Sequence, residues 1–240
     1  MPCHLVFTYA PQHAVMSTAR FLKSAGVGVG DEVVVPAYGD AEAAAAVVMA
    51  GARPVFADID PGSYCLDPDA VAAVLTSRTT AVVAVAAFGH PPDLARIGEL
   101  GRTHGLLVIG PGDAVAAADE VEQRRSHAAY LRDRLTGVRT PVPNPAHTYD
   151  RYVVRVPGNG RPDRDAFAQA LRRRGVGCEV PVTTPVHRMP AFRRDVRLPE
   201  TERAADETLA LPVHGSLRRR ELQRMVSSCN ALGGLLQPAL

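Results

Sequence analysis

Lysine is nearly missing from this chain: Lys23 is the only one, and every other member of its 27 Lys and Arg is arginine. Chemistry that needs a side-chain amine as a nucleophile therefore has one candidate. Cysteine is scarce too. Cys3, Cys65, Cys178 and Cys229 show no paired spacing, which excludes a disulfide framework and suits reduced thiols. No apolar run reaches the length of a membrane span. The opening residues, MPCHLVFTYAPQHAV, have no charged stretch ahead of a long apolar one, so a cytoplasmic location is expected. Charge of one sign is not in excess, since the formal net charge is +2. The clusters Arg172–Arg174, Arg193–Arg194 and Arg218–Arg220 read as solvated faces on or beside helices, without the interleaved aromatics of a nucleic-acid surface. Cys3, His4 and His13 lack metal-ligand spacing, so no metal is expected.

What the chain does have is 240 residues, 46% of them hydrophobic, enough for one sizeable core and a smaller one. The stretch from Gly26 to Val71 organises it. Val33-Val34-Val35 is an unbroken β-branched run of the kind covered on both faces, and Pro36 ends it. The loop Ala37–Asp40 leads into an alanine-rich helix from Ala41 to Ala50, with Gly51 at its C-terminal cap. Pro54–Ala57 is the next buried strand, and Asp67-Pro68 opens a helix running to about Leu75. Further strands are expected at Leu5–Tyr9, Thr80–Val85 and Leu106–Ile109, with helices at Gln12–Ala25, Asp93–His104 and Ala114–Leu135. This alternation argues for a parallel sheet with helices on both faces. In such sheets ligands sit beyond the carboxyl ends of the strands, so Tyr38, Asp40, Asp58 and Asp60 lie near any site.

Two glycine-rich turns invite a phosphate reading. Gly26, Gly28 and Gly30 precede a strand, whereas a dinucleotide fingerprint follows one. Gly110-Pro111-Gly112-Asp113 lies between strand and helix, where free N–H groups would meet an anion. Asp113 occupies the phosphate's place, and its carboxylate reads better as the helix cap.

From Thr140 the character changes. Pro141, Pro143 and Pro145 precede a strand at Tyr152–Val156, a helix opened by Pro162-Asp163, a strand at Val176–Val182, and helices at Glu200–Leu211 and Ser216–Leu232. The expected organisation is a large domain over 1–118, a connecting helix over 119–139 and a small α+β subdomain over 140–240.

The blocks GVGVGDEVVVPAY, GARPVFADIDPGSYCLDP, AFGHPPDL and THGLLVI, followed by HTYDRYVVRVP, RRRGVGCEV, PVHRMPAF and LALPVHGSL, resemble successive motifs of the DegT/DnrJ/StrS sugar aminotransferases. The resemblance covers nearly the whole chain. It implies a reduced form of the fold type I of enzymes that bind pyridoxal phosphate as an imine on lysine and move an amino group onto a keto-sugar nucleotide. The family chain is longer between the strand ending at Ile109 and the helix near Glu120, and the segment missing here carries two strands, the imine-forming lysine and a glycine-rich loop. With both strands gone, the first strand and the one ending at Ile109 become neighbours in a five-stranded, mainly parallel sheet.

Other family groups are replaced. Lys23 is away from the family's lysine position. Gly110 and Pro111 stand where a carboxylate pairs with the pyridine nitrogen, and His13-Ala14-Val15 where hydroxyls hold the phosphate. Asp40 stands where an aromatic stacks on the ring, with Tyr38 as a possible substitute. No cofactor is therefore expected.

The first functional reading is a cofactor-independent enzyme performing acid–base isomerisation, elimination or cyclisation on a natural-product or sugar biosynthetic intermediate. His13, Tyr38, Asp40, His90 and Asp113 would approach the carboxyl edge of the sheet, with Glu179 and His187 facing it from the small domain. Each has a plainer role open to it: Asp40 as a helix cap, His90 as a loop residue before Pro91, His187 as packing in a proline-rich turn. The alternatives are a non-catalytic or regulatory partner of a biosynthetic enzyme, and a residual pyridoxal-phosphate aminotransferase. The expected partner is a small-molecule intermediate, with a homodimer or a pathway-enzyme contact open, and neither nucleic acid nor membrane.

Overall fold

The computed structural model describes residues 6–9, 14–112, 117–156 and 164–233. His13 and Asp113 lie outside them. The chain divides into two compact units, each formed from several segments. Unit 1 comprises Met1–Ala87, Pro91–Val115 and Thr184–Glu202, and unit 2 comprises Phe88–His90, Ala116–Thr183 and Arg203–Leu240. This differs from the division into 1–118, 119–139 and 140–240. The stretch Thr184–Glu202 clusters with the sheet rather than with the small subdomain, and the helix beginning near residue 118 clusters with unit 2.

Unit 1 is the sheet unit. Its strands are β1 (Val6–Tyr9), β2 (Glu32–Pro36), β3 (Arg53–Ala57), β4 (Thr79–Val83) and β5 (Leu107–Pro111). They run in the order β1-β5-β4-β2-β3, every pair parallel. The four strands β5-β4-β2-β3 carry the described core, and β1 lies along β5 with Val6 opposite Val108. Helices α1 (Ala14–Ser24), α2 (Glu42–Ala50), α3 (Pro68–Val74) and α4 (Leu94–His104) connect them. The apolar run in β2 explains the layering, because successive side chains alternate between faces. Val33 and Val35 pack with Leu22, Ala44, Val47 and Phe56, whereas Val34 packs with Val71, Val82, Ile97 and Val108. All three valines are fully buried.

At the first residue of β2 stands a charged exception. Glu32 is 1% exposed, accepts hydrogen bonds from Thr76 Oγ1 (2.6 Å) and Arg78 Nη2 (2.7 Å), and lies 3.0 Å from Arg53 Nη2. The Thr76 hydrogen bond, with Arg78 and Arg53, holds its carboxyl below the ordinary value despite burial.

Unit 2 is built on α5 (Ala118–Arg132), β6 (Tyr152–Arg155), α6 (Arg164–Arg173), β7 (Thr208–Leu211) and α8 (Arg219–Gly233). Strands β6 and β7 pair antiparallel, with Tyr152 opposite Leu211. Leu131, Tyr152, Val154, Phe167, Leu171, Leu209 and Met225 form its core.

Three sequence expectations are corrected here. The stretch Val176–Val182 is not a strand, since among the described residues its only ladder contact is the bridge between Glu179 and Ala210. Gly175 at φ +73°, Gly177 and Pro181 interrupt the pattern, and proline has no N–H to give a ladder. The helix expected over Glu200–Leu211 is α7 (Pro199–Glu207) followed by β7, because all four residues of TLAL are buried and pair with β6. Asp40 is not the cap residue of α2. Ala41 holds that position, and Asp40 Oδ1 accepts from Glu42 N at 3.1 Å.

Candidate functional site

In unit 1 the carboxyl ends of β2 and β3 hold one stretch of chain. After Pro36, the carbonyl of Ala37 accepts a hydrogen bond from Val186 N at 2.8 Å. After Ala57, Asp58 receives Glu200 N on Oδ2 (2.9 Å), and Thr201 N and Thr201 Oγ1 on Oδ1 (both 2.7 Å). Between these anchors Arg194 N closes a loop onto His187 O at 2.9 Å, while Val186, Met189, Phe192 and Leu198 join the core beneath. His187 is thereby brought to the end of β2, next in sequence to Val186, just as Tyr38 is next to Ala37.

The three candidate residues of this unit have distinct surroundings. Tyr38 is 2% exposed, its ring 5.7 Å from that of Tyr64. Asp40 is exposed and tied to the start of α2. His187 is 1% exposed, its ring 6.3 Å from Phe56 and its Nε2 3.5 Å from Glu202 Oε1. Burial pushes the His187 imidazole below its ordinary value, against the pull of Glu202. Burial would raise the Glu202 carboxyl, but Arg188, 2.8 Å away, outweighs it and holds the group ionised. His187, Arg188 and Glu202, but not Tyr38 or Asp40, line a cleft of about 740 Å³ whose walls also include Arg193, Arg194, Asp195 and Arg197.

Unit 2 holds the other two described candidates. Thr148 N donates to Gly89 O at 2.9 Å, and the His90 ring meets the His147 ring edge-on at 5.1 Å. Gly89 has φ +90°, and a Cβ there would stand 2.4 Å from Thr148 Oγ1 and 2.8 Å from Tyr149 N. Gly89→Ala is accordingly expected to cost about 3 kcal/mol, combining left-handed strain with overpacking. Thermal unfolding checks this, and an unchanged midpoint would refute it. Glu179 is exposed, with Oε1 3.2 Å from Arg151 Nη1, and borders a cleft of about 360 Å³ with Arg124, Asp150, Cys178 and His214. Among the described residues no group of three or more His, Cys, Asp or Glu could hold a metal ion. None of the described helices is long and apolar enough to cross a membrane.

Sequence reading missed Glu202 and the arginine loop. Arg193 and Arg194 follow a short 3-10 turn, Pro190–Phe192, and face a cleft rather than forming part of a helix face. The density of arginine in RRDVR was the available signal.

The sequence model of the DegT/DnrJ/EryC1/StrS aminotransferase family matches residues 14–119 and 114–230. The chain belongs to this family. The family match comes in two pieces that meet at 114–119, where the missing segment was expected. A pleiotropic regulatory protein of Geobacillus stearothermophilus is 27% identical over 299 aligned positions, covering 85% of this chain and 79% of that protein. Close to a third of those positions therefore face a gap in this chain. The L-glutamine:2-deoxy-scyllo-inosose aminotransferase of Streptomyces kanamyceticus is 47% identical over 88 residues, which is 37% of this chain and only 21% of that protein. Among solved structures, the aminotransferase TlmJ from Streptoalloteichus hindustanus superposes with a TM-score of 0.79 at 26% identity, covering 92% of this chain and 84% of that one. A family aminotransferase from Brucella abortus reaches 0.82 at 18% identity, covering 92% and 84%, a likeness of fold.

Membership in the DegT/DnrJ/EryC1/StrS family implies pyridoxal phosphate, and the residues present can be tested for its fit. Lys23 is exposed in the last turn of α1, and Gly26 N and Val27 N bond back to Lys23 O and Leu22 O as the chain turns towards the start of β2. It thus stands at the end where the strands begin, opposite the edge where ligands of such sheets bind. At β5, a Cβ on Gly110 would meet Leu94 Cδ1 and Cδ2 at 3.2 Å, so Leu94 crowds the space into which a side chain there would extend. These residues do not fit a lysine-bound pyridoxal phosphate at the carboxyl edge.

Proposed function

We propose that this chain is a family member that has given up lysine–pyridoxal phosphate chemistry and serves as a ligand-binding, regulatory partner in natural-product or sugar biosynthesis. One observation carries the reading: the sole side-chain amine, Lys23, sits exposed at the end of α1 that leads into the beginning of β2. An electron-sink mechanism needs its amine at the reacting centre. The regulatory half draws support from the Geobacillus relative, which is named as a regulatory protein and is matched over 79% of its length. The biosynthetic setting draws support from the Streptomyces aminotransferase. The state of the candidate acids points the same way, since Asp40 is tied to α2 and Glu179 is paired with Arg151.

The test is to incubate the purified protein with equimolar pyridoxal phosphate, reduce with borohydride and weigh the product by mass spectrometry. Adduct well below one per chain is expected, and Lys23→Arg should lose none of the protein's ligand binding. A one-to-one adduct with an internal-imine absorbance band would overturn the reading.

A second reading, the acid–base enzyme, is favoured by the pairing of His187 with Glu202 in the wall of the 740 Å³ cleft. The Glu202 carboxylate, part-exposed, would take a proton from carbon next to a carbonyl, with His187 positioning it. This reading predicts exchange of such a proton on a keto-sugar phosphate with solvent deuterium, followed by NMR and abolished in Glu202→Gln. No exchange with the wild type across a panel of such sugars leaves the regulatory reading in place.

A further inference from the structure

We infer that unit 2 carries a docking surface for an acidic segment of a protein partner, formed where the end of α6 meets the first half of α8. The inference names the chemistry of the partner in the regulatory role proposed above and rests on that reading for its biological meaning.

Two arginine runs that read as separate faces in the sequence form one surface in the fold. Phe167 and Leu171 of α6 share a core with Leu222 and Met225 of α8. Across that junction the Arg224 guanidinium reaches the end of α6, where a Cβ on Gly175 would stand 3.3 Å from Arg224 Nη1. Arg174 directly precedes Gly175, and Arg173 is the last residue of α6. Arg220 lies one helical turn before Arg224, on the same face of α8. Arg218 and Arg219 carry the row to the start of that helix.

The charge on this surface is unanswered. Arg173, Arg174, Arg218, Arg219, Arg220 and Arg224 are all exposed, and among the described residues none of their side chains has an ion pair or a hydrogen bond. Other arginines of the unit are engaged: Arg172 donates to Cys178 O through Nε (3.2 Å) and Nη2 (2.9 Å), Arg124 pairs with Glu120 and Asp150, and Arg151 with Glu179. Position adds a cost. A helix is positive at its start, and Glu221 is the one acid in the first turn of α8. Its carboxylate is taken by Arg218 N at 2.7 Å. Cations placed there repel one another and the helix dipole until an anion meets them.

The surroundings select a protein carboxylate as that anion. Guanidinium forks pair with carboxylates two donors to two oxygens. Arg220 and Arg224, a turn apart, match carboxylates spaced alike on a facing acidic helix. Nucleic acid fits less well. Phe167 is the only aromatic residue in either helix and it is buried, so no base has a ring to stack on. A formal net charge of +2 also gives the chain little pull on a long polyanion. A membrane fits no better: none of the large exposed apolar side chains among the described residues lies on α6 or α8, so nothing there would insert.

The experiment is fluorescence anisotropy on the full chain at fixed salt, with a labelled peptide rich in Glu and Asp and a labelled DNA duplex matched to it in charge. Sedimentation with phosphatidylserine vesicles is the third arm. The peptide should bind in preference to both, and more weakly as salt is raised. Arg220→Gln with Arg224→Gln should weaken it by about five-fold or more while circular dichroism stays that of the wild type. Arg96→Gln with Arg102→Gln removes the same charge from α4 in unit 1 and should leave the affinity unchanged. No peptide binding, tighter binding of the duplex or the vesicles, an α8 pair that binds as the wild type does, or an equal loss in the α4 pair overturns the inference. Failure here leaves the imine test standing, and an imine found there leaves the peptide titration standing, so the two readings fall separately.

Discussion

Acidification from pH 7.5 to pH 5 should remove about 2 kcal/mol of stability from unit 2, with His147 as the cause. His147 is 3% exposed, stacked on Tyr149 with ring centres 3.8 Å apart and planes 7° from parallel. Its Nδ1 accepts a hydrogen bond from Tyr149 N at 3.0 Å. A proton on that nitrogen would set donor against donor. Burial pushes the imidazole down to about 3, and the nearby His90 and Arg125 add repulsion, with the Gly89 backbone pulling weakly the other way. The folded value lies below the unfolded one of 6.5. The unfolded chain therefore takes up the proton first: the contribution is whole above 6.5 and drains away as pH falls towards 3. Glu32 acts in a separate window, because its lowered carboxyl begins to cost stability only below its ordinary 4.5. Urea unfolding followed by circular dichroism at pH 7.5, 6 and 5 reads the slope. His147→Asn keeps an acceptor oxygen near the place of Nδ1 but cannot titrate. It should lose about 1 kcal/mol of stacking at pH 7.5 and show a flatter profile below 6.5. A wild type equally stable at 7.5 and 5, or a variant with the same slope, rules this account out.

The sheet was legible in sequence because its signal is local. Val33–Val35 and Val82–Val83 announce buried strands by composition, and Gly51 and Gly105 mark helix ends that the structure places in the left-handed region. The Asp67 cap was legible for the same reason, its carboxylate accepting from Asp69 N two residues on. What depended on distant partners was not. TLAL looks helical until β6 offers it a ladder, and Glu179 reads as mid-strand until only one bridge forms. Of the seven candidate site residues, His13 and Asp113 fall outside the described residues, Tyr38, Asp40 and His187 lie in unit 1, and His90 and Glu179 lie in unit 2. The sequence named His187 but not Glu202, because only the fold of the loop after Val186 brings them together. His147, whose burial dominates the acid response, stood in a quoted motif without any local mark of being buried.

The same dependence on distance makes Asp58 the most consequential single carboxylate in unit 1. Sequence position placed it at the end of β3, but not its service to Glu200, 142 residues onward. Asp58→Ala should destabilise the protein by about 3 kcal/mol, the sum of a lost helix cap and buried donors left without partners. Thr201 is fully buried, so its N–H and hydroxyl cannot turn to water when the carboxylate goes. Asp58→Asn should cost about 1 kcal/mol, since one oxygen can still receive both Thr201 donors while the Glu200 bond is lost. Chemical unfolding gives both values, and an alanine variant within 1 kcal/mol of the wild type would show that the helix start is held by other means.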